Sequence, residues 1–337
     1  MTQQTETPID LSRPRASDGT KSPSFLRSFA YWHELVLAVL LVGLMIVAWR
    51  IDPSFVSSGT QLELLTQVLE ISLLALPMTL VIITAGIDLS VGSIMALSAV
   101  ALGMSYQAHW PLGVGIALAL ITGVACGALN GIFVSYVKVH PLIVTLATLS
   151  AYRGIAEGIS HAEPVSGFPE SFAWIGQGTI AGLPVPAIMF ILFAIVCAVV
   201  LAKTPLGRAI YAIGFNETAV RFSGINIARI KLMLYTFAGA MSGLAAIVFV
   251  SRRNTAKADV GSGIELDVIT AVVLGGTSIF GGRGNIVGTV LGILLIHETR
   301  QFVSWQWQSD ELILIVIGAL LIASVLLNTL LTRRRRS

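Results

Sequence analysis

The sequence predicts an all-α polytopic membrane protein with about ten transmembrane helices, some of them short or broken, and with both termini in the cytoplasm. Of its 337 residues, 55% are hydrophobic and only 12% are charged, whereas a soluble domain carries about 25% charged residues. The mean hydropathy is +0.84. Uncharged runs long enough to cross a bilayer, which takes roughly 20 apolar residues as a helix, recur along the whole chain.

The predicted spans begin after a polar tail, residues 1–30, with the apolar stretch Leu35 to Trp49. No convincing small-x-small cleavage site precedes the polar residues 50–53, so this stretch is interpreted as a retained first span and not as a cleaved signal peptide. The spans 267–282 and 284–304 are the weakest, because they are short or polar-tipped. In chain order the candidate spans are 31–49, 68–87, 89–108, 111–136, 141–160, 184–202, 230–250, 267–282, 284–304 and 311–331.

Basic residues indicate the orientation, because Lys and Arg concentrate in cytoplasmic loops. Four lie in the N-terminal tail, five lie in the segment 203–231, and four consecutive arginines lie near the C-terminus. An even number of spans places all three groups in the cytoplasm, with cations at 252, 253 and 257 as the exception. The expected organisation is a tail 1–30, a transmembrane region 31–331 with an internal loop 203–229, and a basic tail 332–337.

Two polar loops are longer than a connector requires. Residues 161–183 lie on the predicted outer side and contain several Gly and Pro. Residues 203–229 lie on the inner side, where an amphipathic pattern is interrupted by glycines. The inner loop fits a surface helix at the lipid headgroups and a docking surface for a cytoplasmic partner equally well.

Glycines within the spans predict close helix packing, and one glycine-containing segment suggests an internal repeat. Glycines spaced at four residues in 123–131 and 239–243 allow helices to approach closely in lipid. The segment 270–292 echoes the one around Asp88, since each has a β-branched run, then glycine with small polar residues and one charge, then a second apolar run. Interrupted helices of this kind are typical of transport repeats, although composition alone also produces such an echo.

Several classes of chemistry lack their motifs. The chain has no G-x-x-x-x-G-K-[ST], so it does not bind ATP through a P-loop, and it has no metal-ligand spacing or Ser/His/Asp order. Its net charge of +3 follows the membrane topology and does not predict nucleic-acid binding. Cys126 and Cys197 lie in apolar spans as packing residues. Only Asp88 and Glu157 are candidates for a carboxylate relay, which disfavours a proton-coupled pump.

Asp88 is the only Asp, Glu, Lys or Arg between Glu70 and Lys138. Gly86 suits the C′ position of one helix, and Asp88 or Ser90 suits the N-cap of the next. This predicts a capped turn near the cytoplasmic face, with a direct substrate contact as the alternative. Neutral hydrogen-bonding residues could line a path for a hydroxyl-rich solute, although most are expected to bond their own helix; the candidates are Thr84, Ser90, Ser93, Asn130, Thr145, Thr148 and Tyr152.

Four segments carry a family resemblance. Residues 85–93, A-G-I-D-L-S-V-G-S, and residues 265–289, E-L-D-V-I-T-A-V-V-L-G-G-T-S-I-F-G-G-R-G-N-I-V-G-T, are similar to two signatures of the permease subunits of bacterial ABC importers for simple sugars. This family includes ribose, arabinose, xylose, rhamnose and autoinducer-2 permeases. Residues 216–225, N-E-T-A-V-R-F-S-G-I, resemble its cytoplasmic loop, and residues 144–154 resemble its next block.

The resemblance implies a multi-pass subunit of the bacterial inner membrane that works by alternating access and is not an enzyme. It would bind no cofactor, since ATP and Mg are used by a partner ATPase. Its partners would be that cytoplasmic ATPase, a second permease copy or paralogue, a periplasmic sugar-binding protein and membrane lipid, but no nucleic acid. An ATPase contact then becomes the favoured role of the loop 203–229.

The resemblance also assigns site residues. The implied coupling-loop residues are Arg208, Asn216, Glu217, Arg221, Ser223 and Gly224. The implied gate or turn motif is Gly86, Asp88, Ser90 and Gly92, and the second signature contributes Gly275, Gly276, Thr277, Gly281 and Gly282. The pore-lining candidates are Thr84, Asn130, Thr145 and Thr148.

Two questions stay open at the level of sequence. Residues 297–305 depart from the family's usual pattern, so the chain is expected to belong to a subgroup of the family. We interpret that subgroup as permeases for rhamnose or another deoxy sugar. The alternative function is a secondary transporter or facilitator for a small neutral polar solute, acting without an ATPase, and a structural membrane protein is a third. The long basic internal loop and the missing carboxylate relay favour the importer.

Overall fold

The computed structural model of the chain describes residues 32–309, 311–313, 315–319 and 322, and these residues are mostly helical. The helices are α1 (Trp32–Ile51), α2 (Ser58–Gln67), α3 (Leu69–Ile83), α4 (Val91–Gln107), α5 (Leu112–Ser135), α6 (Pro141–Ser160), α7 (Glu170–Gln177), α8 (Val185–Lys203), α9 (Pro205–Phe215), α10 (Glu217–Phe222), α11 (Ile227–Arg253), α12 (Ile264–Leu274) and α13 (Ile286–Trp307). The strands are β1 (Val165–Ser166), β2 (Thr179–Ile180), β3 (Leu183–Pro184) and β4 (Thr255–Ala256).

Six of the described helices, α1, α5, α6, α8, α11 and α13, are long and apolar enough to cross a membrane. Helices α2 and α3, which meet at a 54° bend, form a seventh candidate if they make one span. Helix α4 is apolar but has only 17 residues. The predicted span 311–331 lies mostly outside the described residues.

The predicted span 267–282 is wrong. Helix α12 ends at Leu274, and residues 275–285 form an irregular segment before α13 begins at Ile286. The run 267–282 is apolar enough for a span, but its Gly276, Gly281 and Gly282 have positive φ angles. Left-handed backbone cannot continue a right-handed helix, so the apolar run contains a break and not a continuous span.

Helix α11 lies at the centre of the fold, packed against α3, α4, α5 and α7. The close approach predicted from glycine spacing is confirmed, because Gly123 and Gly127 of α5 lie directly against Gly239 of α11. Buried aliphatic side chains of α3, α4, α11, α12 and α13 form the main hydrophobic core around this contact.

Short strands and polar contacts lie at one end of α11. β1 pairs antiparallel with β4, and β2 pairs with β3. Arg252 forms an ion pair with the buried Glu70 of α3, with 2.8 Å between Nη2 and Oε1. Lys257 pairs with Asp259 at 3.1 Å. Two of the three cations that oppose the predicted orientation are therefore neutralised by neighbouring carboxylates.

Candidate functional site

The segment between α3 and α4, residues 84–90, is the first break. The residue in the left-handed conformation is Ala85, with φ +59°, so the prediction that Gly86 takes this position is wrong. Gly86 lies against α11 instead, where a Cβ atom would come within 2.9 Å of Tyr235 Oη. Glycine at 86 therefore serves helix packing, while the turn itself is made by its neighbour.

Asp88 stabilises the backbone turn of the first break through hydrogen bonds to Ser90. Its Oδ1 accepts hydrogen bonds from the Ser90 backbone N–H at 2.9 Å and from the Ser90 hydroxyl at 2.6 Å. This is an Asx turn, which fixes the backbone two residues ahead of the aspartate, and α4 begins directly afterwards at Val91. Asp88 is 0% exposed, and its Oδ2 has no hydrogen-bond partner among the described residues. An unpaired buried polar atom is costly.

Two further helices extend this arrangement into a polar chain, which consists of Asp88, Ser90, Asn130 and Tyr152. Asn130 Nδ2 on α5 donates to Ser90 Oγ at 2.7 Å. The Tyr152 hydroxyl on α6 donates to Asn130 Oδ1 at 3.1 Å. All four side chains are buried. Buried hydrogen-bonded networks hold the elements that carry them in one arrangement, so the polar chain ties the first break to α5 and α6.

The carbonyl oxygen of Ile87 anchors the same break to two helices. The Thr145 hydroxyl on α6 lies 3.3 Å from it, and the Tyr235 hydroxyl on α11 lies 3.4 Å from it. Tyr235 was not predicted as a site residue. A single tyrosine within the apolar sequence of α11 carries no local signal, and only the packing of α11 against the break brings it there.

The four pore-lining candidates separate into two pairs. Asn130 and Thr145 contact the first break as described. Thr84 and Thr148 donate their hydroxyl hydrogens to carbonyl groups in the preceding turn of their own helices. Gly92 of the gate motif lies in α4 against the backbone of residue 261. The pore-lining role itself stays a prediction.

The second break, residues 275–285, is built from backbone more than from side chains. Gly275 packs against α13, and residues with left-handed backbone follow it. The Thr277 hydroxyl is buried without a hydrogen-bond partner among the described residues. Positive φ angles occur at Gly276, Gly281, Gly282 and Gly284.

Asn285 ends the second break and caps α13. Its Oδ1 accepts from the Gly288 backbone N–H at 2.5 Å, and its Nδ2 donates to Glu34 Oε1 of α1. Neither Asn285 nor Glu34 was predicted as a site residue. Asn before an apolar helical run is a recognisable N-cap signal, whereas Glu34 had no signal in the sequence.

The two breaks meet each other and helix α9 at a junction formed by Ile83, Gly214 and Gly282. The Gly282 backbone N–H donates to Ile83 O at 2.8 Å. A Cβ atom on Gly214 would lie 1.8 Å from Ile83 O and 2.4 Å from the Gly282 nitrogen. The Tyr211 hydroxyl of α9 donates to Gly284 O at 2.7 Å. Helix α9, which belongs to the loop 203–229, therefore contacts the second break directly and also contacts the end of α3, where the first break begins.

Helix α10 follows in the same loop, capped by the Asn216 side chain. Glu217 accepts from Arg221 at 3.3 Å and from Lys231 of α11 at 2.6 Å. Partial burial alone would raise the pKa of Glu217, but Lys231 and Arg221 hold that pKa below its usual value. The ion pair between Glu217 and Lys231 holds α10 against the start of α11.

The remaining coupling-loop candidates lie on or near the loop surface. Arg208 is exposed on α9, the Ser223 hydroxyl donates to a backbone carbonyl of α10 at 2.8 Å, and Gly224 has φ +80°. Phe215 and Phe222 are 82% and 87% exposed. A loop with two exposed phenylalanines presents an apolar surface of the kind that partners or lipids cover.

The fold is that of a multi-pass membrane protein whose interrupted helices meet an internal loop. Comparison with known proteins gives the class. Residues 60–325 match the family described as "Branched-chain amino acid transport system / permease component". The chain is 41% identical to the ribose import permease protein RbsC of Bacillus subtilis (strain 168), over 85% of this chain and 89% of the relative.

Two further relatives are autoinducer 2 import system permease proteins LsrD. That of Photorhabdus luminescens is 37% identical over 88% of this chain and 90% of the relative, and that of Klebsiella pneumoniae is 33% identical over 90% and 93%. No solved structure matches the chain. The chain belongs to the transport-system permease family whose model matches residues 60–325. It is a multi-pass inner-membrane permease subunit of an ABC importer for monosaccharides, a transport component and not an enzyme.

Proposed function

We propose that this chain forms the translocation path for a monosaccharide delivered by a periplasmic binding protein. It would work with a second permease copy or paralogue, while separate cytoplasmic ATPase subunits use ATP and Mg. The observation that carries the proposal is the junction. Helix α9 of the internal loop contacts the end of α3 at Ile83 and the second break at Gly282, so a displacement of that loop is transmitted to both breaks.

The proposed topology has ten spans and both termini in the cytoplasm. Its organisation is a tail 1–30, a transmembrane region 31–331 and a basic tail 332–337. The Lys and Arg of 203–231 support it. The pairing of Arg252 with Glu70 also supports it, because a neutralised cation contributes less to the charge of the outer side.

The proposed coupling step begins at the surface of α9 and α10. The ATPase docks on residues 203–229, where Arg208 and Phe222 are exposed. ATP binding and hydrolysis then shift α9, and the contact between Gly214 and Ile83 transmits the shift to the end of α3. Helix pairs that rock about such a contact give rigid-body alternating access.

The proposed gate is the first break with its polar chain. Asn130, Tyr152 and Thr145 surround it with neutral hydrogen-bonding groups, which suits a solute rich in hydroxyl groups. Asp88 fixes the turn through Oδ1. In this arrangement the gate moves as a unit with α4 and α5, because the bonds that Ser90 forms with Asp88 and Asn130, at 2.6 and 2.7 Å, are shorter than the contacts of 3.3 and 3.4 Å at Ile87 O.

The sugar is proposed only as a class. The relatives carry the names ribose and autoinducer 2, and rhamnose, which the segment 297–305 suggested, has no support from them. In an importer of this design the binding protein selects the sugar. A panel of ribose, rhamnose and autoinducer 2 therefore covers both lines of reasoning.

The test uses the full chain reconstituted in proteoliposomes with its ATPase and binding protein. We expect at least one sugar of the panel to stimulate ATP hydrolysis and to accumulate inside. Liposomes with the chain alone, without the ATPase, serve as the control and should show no uptake. Uptake by the chain alone would instead support the secondary transporter, and a complete lack of sugar stimulation would refute the importer.

A further inference from the structure

We infer that a basic pocket beside the internal loop binds the headgroup of an anionic phospholipid. The pocket is a cavity of about 520 Å³ between the α5–α6 connection, α10 and the start of α11. This inference goes beyond the transport cycle proposed above, in which no step involves a lipid headgroup. The pocket is lined by Val134, Ser135, Lys138, Val139, His140, Pro141, Glu217, Arg221, Ile225, Asn226, Ile227, Ala228 and Lys231.

The charges of the pocket favour an anion. Three cations, Lys138, Arg221 and Lys231, face a single carboxylate, Glu217. That carboxylate is already shared by Arg221 and Lys231. Lys138 has no acidic partner within the part of the chain that the structure describes. The pocket is thus net positive, and Lys138 is the cation with most freedom to meet a phosphate group.

The position of the pocket favours a lipid as the source of the phosphate. Helices α5 and α6 are both candidate membrane spans, and the connection between them lines the pocket. The pocket therefore lies where two spans end, which is the level of the headgroups. Basic pockets between transmembrane helices at this level are typical sites for anionic headgroups.

Exposed apolar residues next to the pocket form a surface that lipid acyl chains can contact. Tyr136 and Val137, directly before Lys138, are 55% and 56% exposed. Phe133 on α5 and Ile143 on α6 are exposed as well. A lipid can therefore place its phosphate at Lys138 while its chains follow α5 and α6. An acidic side chain of the ATPase would fit the charge of the pocket but would leave this apolar surface unused.

The experiment measures lipid retention by native mass spectrometry on the full chain. Protein purified from nanodiscs that contain phosphatidylglycerol should retain it, and protein from phosphatidylcholine nanodiscs should retain no lipid at this site. Lys138→Gln should lower phosphatidylglycerol occupancy about fivefold, the effect of one cation at a membrane surface. Lys138→Arg should restore it. The matched control is Lys203→Gln, which removes a cation from the same loop region outside the pocket and should leave occupancy unchanged.

Three outcomes would overturn the inference. Equal losses in Lys138→Gln and Lys203→Gln would mean that only the general surface charge matters. Displacement of phosphatidylglycerol by millimolar inorganic phosphate would assign the pocket to a free anion. Unchanged lipid retention combined with weaker ATPase co-purification in Lys138→Gln would assign the pocket to the protein partner. None of these outcomes affects the transport assay in neutral lipid, so the proposed function is tested separately.

Discussion

The first and second breaks interrupt two helix pairs that meet at one junction, yet they are built by different chemistry. The first break is held by side chains, with Asp88 bonded to Ser90 and Asn130 reaching in from α5. The second break is held by backbone, with four left-handed glycines and one cap from Asn285. Thr277, a polar side chain within it, donates to no described residue.

This difference in construction determines which substitutions each break tolerates. A break fixed by hydrogen bonds accepts a substitution that keeps the acceptor atom, because the bonds and not the shape define it. A break fixed by left-handed backbone and close contact accepts no side chain where glycine stands. Matched substitutions in the two breaks should therefore fail for different physical reasons.

Asp88 gives the largest expected effect. Asp88→Leu removes the acceptor for two buried donors, the backbone N–H and the hydroxyl of Ser90, and each donor left without an acceptor costs about 1–3 kcal/mol. Sugar uptake in proteoliposomes should be abolished. Asp88→Asn keeps an oxygen acceptor at the same position, and Asn also forms Asx turns, so at least half of the uptake should remain.

The Asn variant is also the control for this comparison. Equal loss of uptake in Asp88→Asn and Asp88→Leu, with both proteins inserted normally, would mean that the charge itself is required. The second carboxylate oxygen, which has no described partner, would then be the atom that matters.

Gly281→Ala is the matched change in the second break, and its expected effect is smaller than that of Asp88→Leu. The φ angle of +83° disfavours any side chain, by about 1–2 kcal/mol. The new Cβ would also lie 2.9 Å from the Ala85 nitrogen and from Gly214 O. We expect a lower melting temperature and severalfold slower uptake. Gly158→Ala on α6, where nothing lies within 4 Å of the new atom, should match the parent protein in both measurements.

Much of this fold could be predicted from the sequence, and the exceptions have physical causes. The spans 141–160 and 184–202 agree with α6 and α8 to within one residue, because hydropathy and a proline at or next to the helix start are local signals. The span 267–282 was wrong, since hydropathy does not register left-handed glycines. Tyr235 and the Asn130–Tyr152 bond could not be predicted, because they depend on which helices become neighbours.

Glu217 gives the smallest expected effect, outside both breaks. Its pKa lies below the usual value because of Lys231 and Arg221. The ion pair therefore stabilises α10 above the usual Glu pKa of about 4.3, and this stabilisation is lost as the pH falls through the lower value. Since the side chain is 40% exposed, the gain at neutral pH should be under about 1 kcal/mol. Melting curves of Glu217→Gln and the parent protein should differ at pH 7 and converge only as the pH falls below the usual Glu pKa of about 4.3.

The most direct test of the account is Gly214→Ala at the junction, measured as ATP hydrolysis and sugar uptake in the same proteoliposomes. A Cβ atom there would lie 1.8 Å from Ile83 O, so α9 must move away from the end of α3. We predict that the complex still assembles and hydrolyses ATP, while uptake for each ATP hydrolysed falls at least tenfold, since a displacement near 1 Å can cost about that much or more. Uptake that stays fully coupled to hydrolysis in Gly214→Ala would contradict the claim that the junction connects the loop to the breaks.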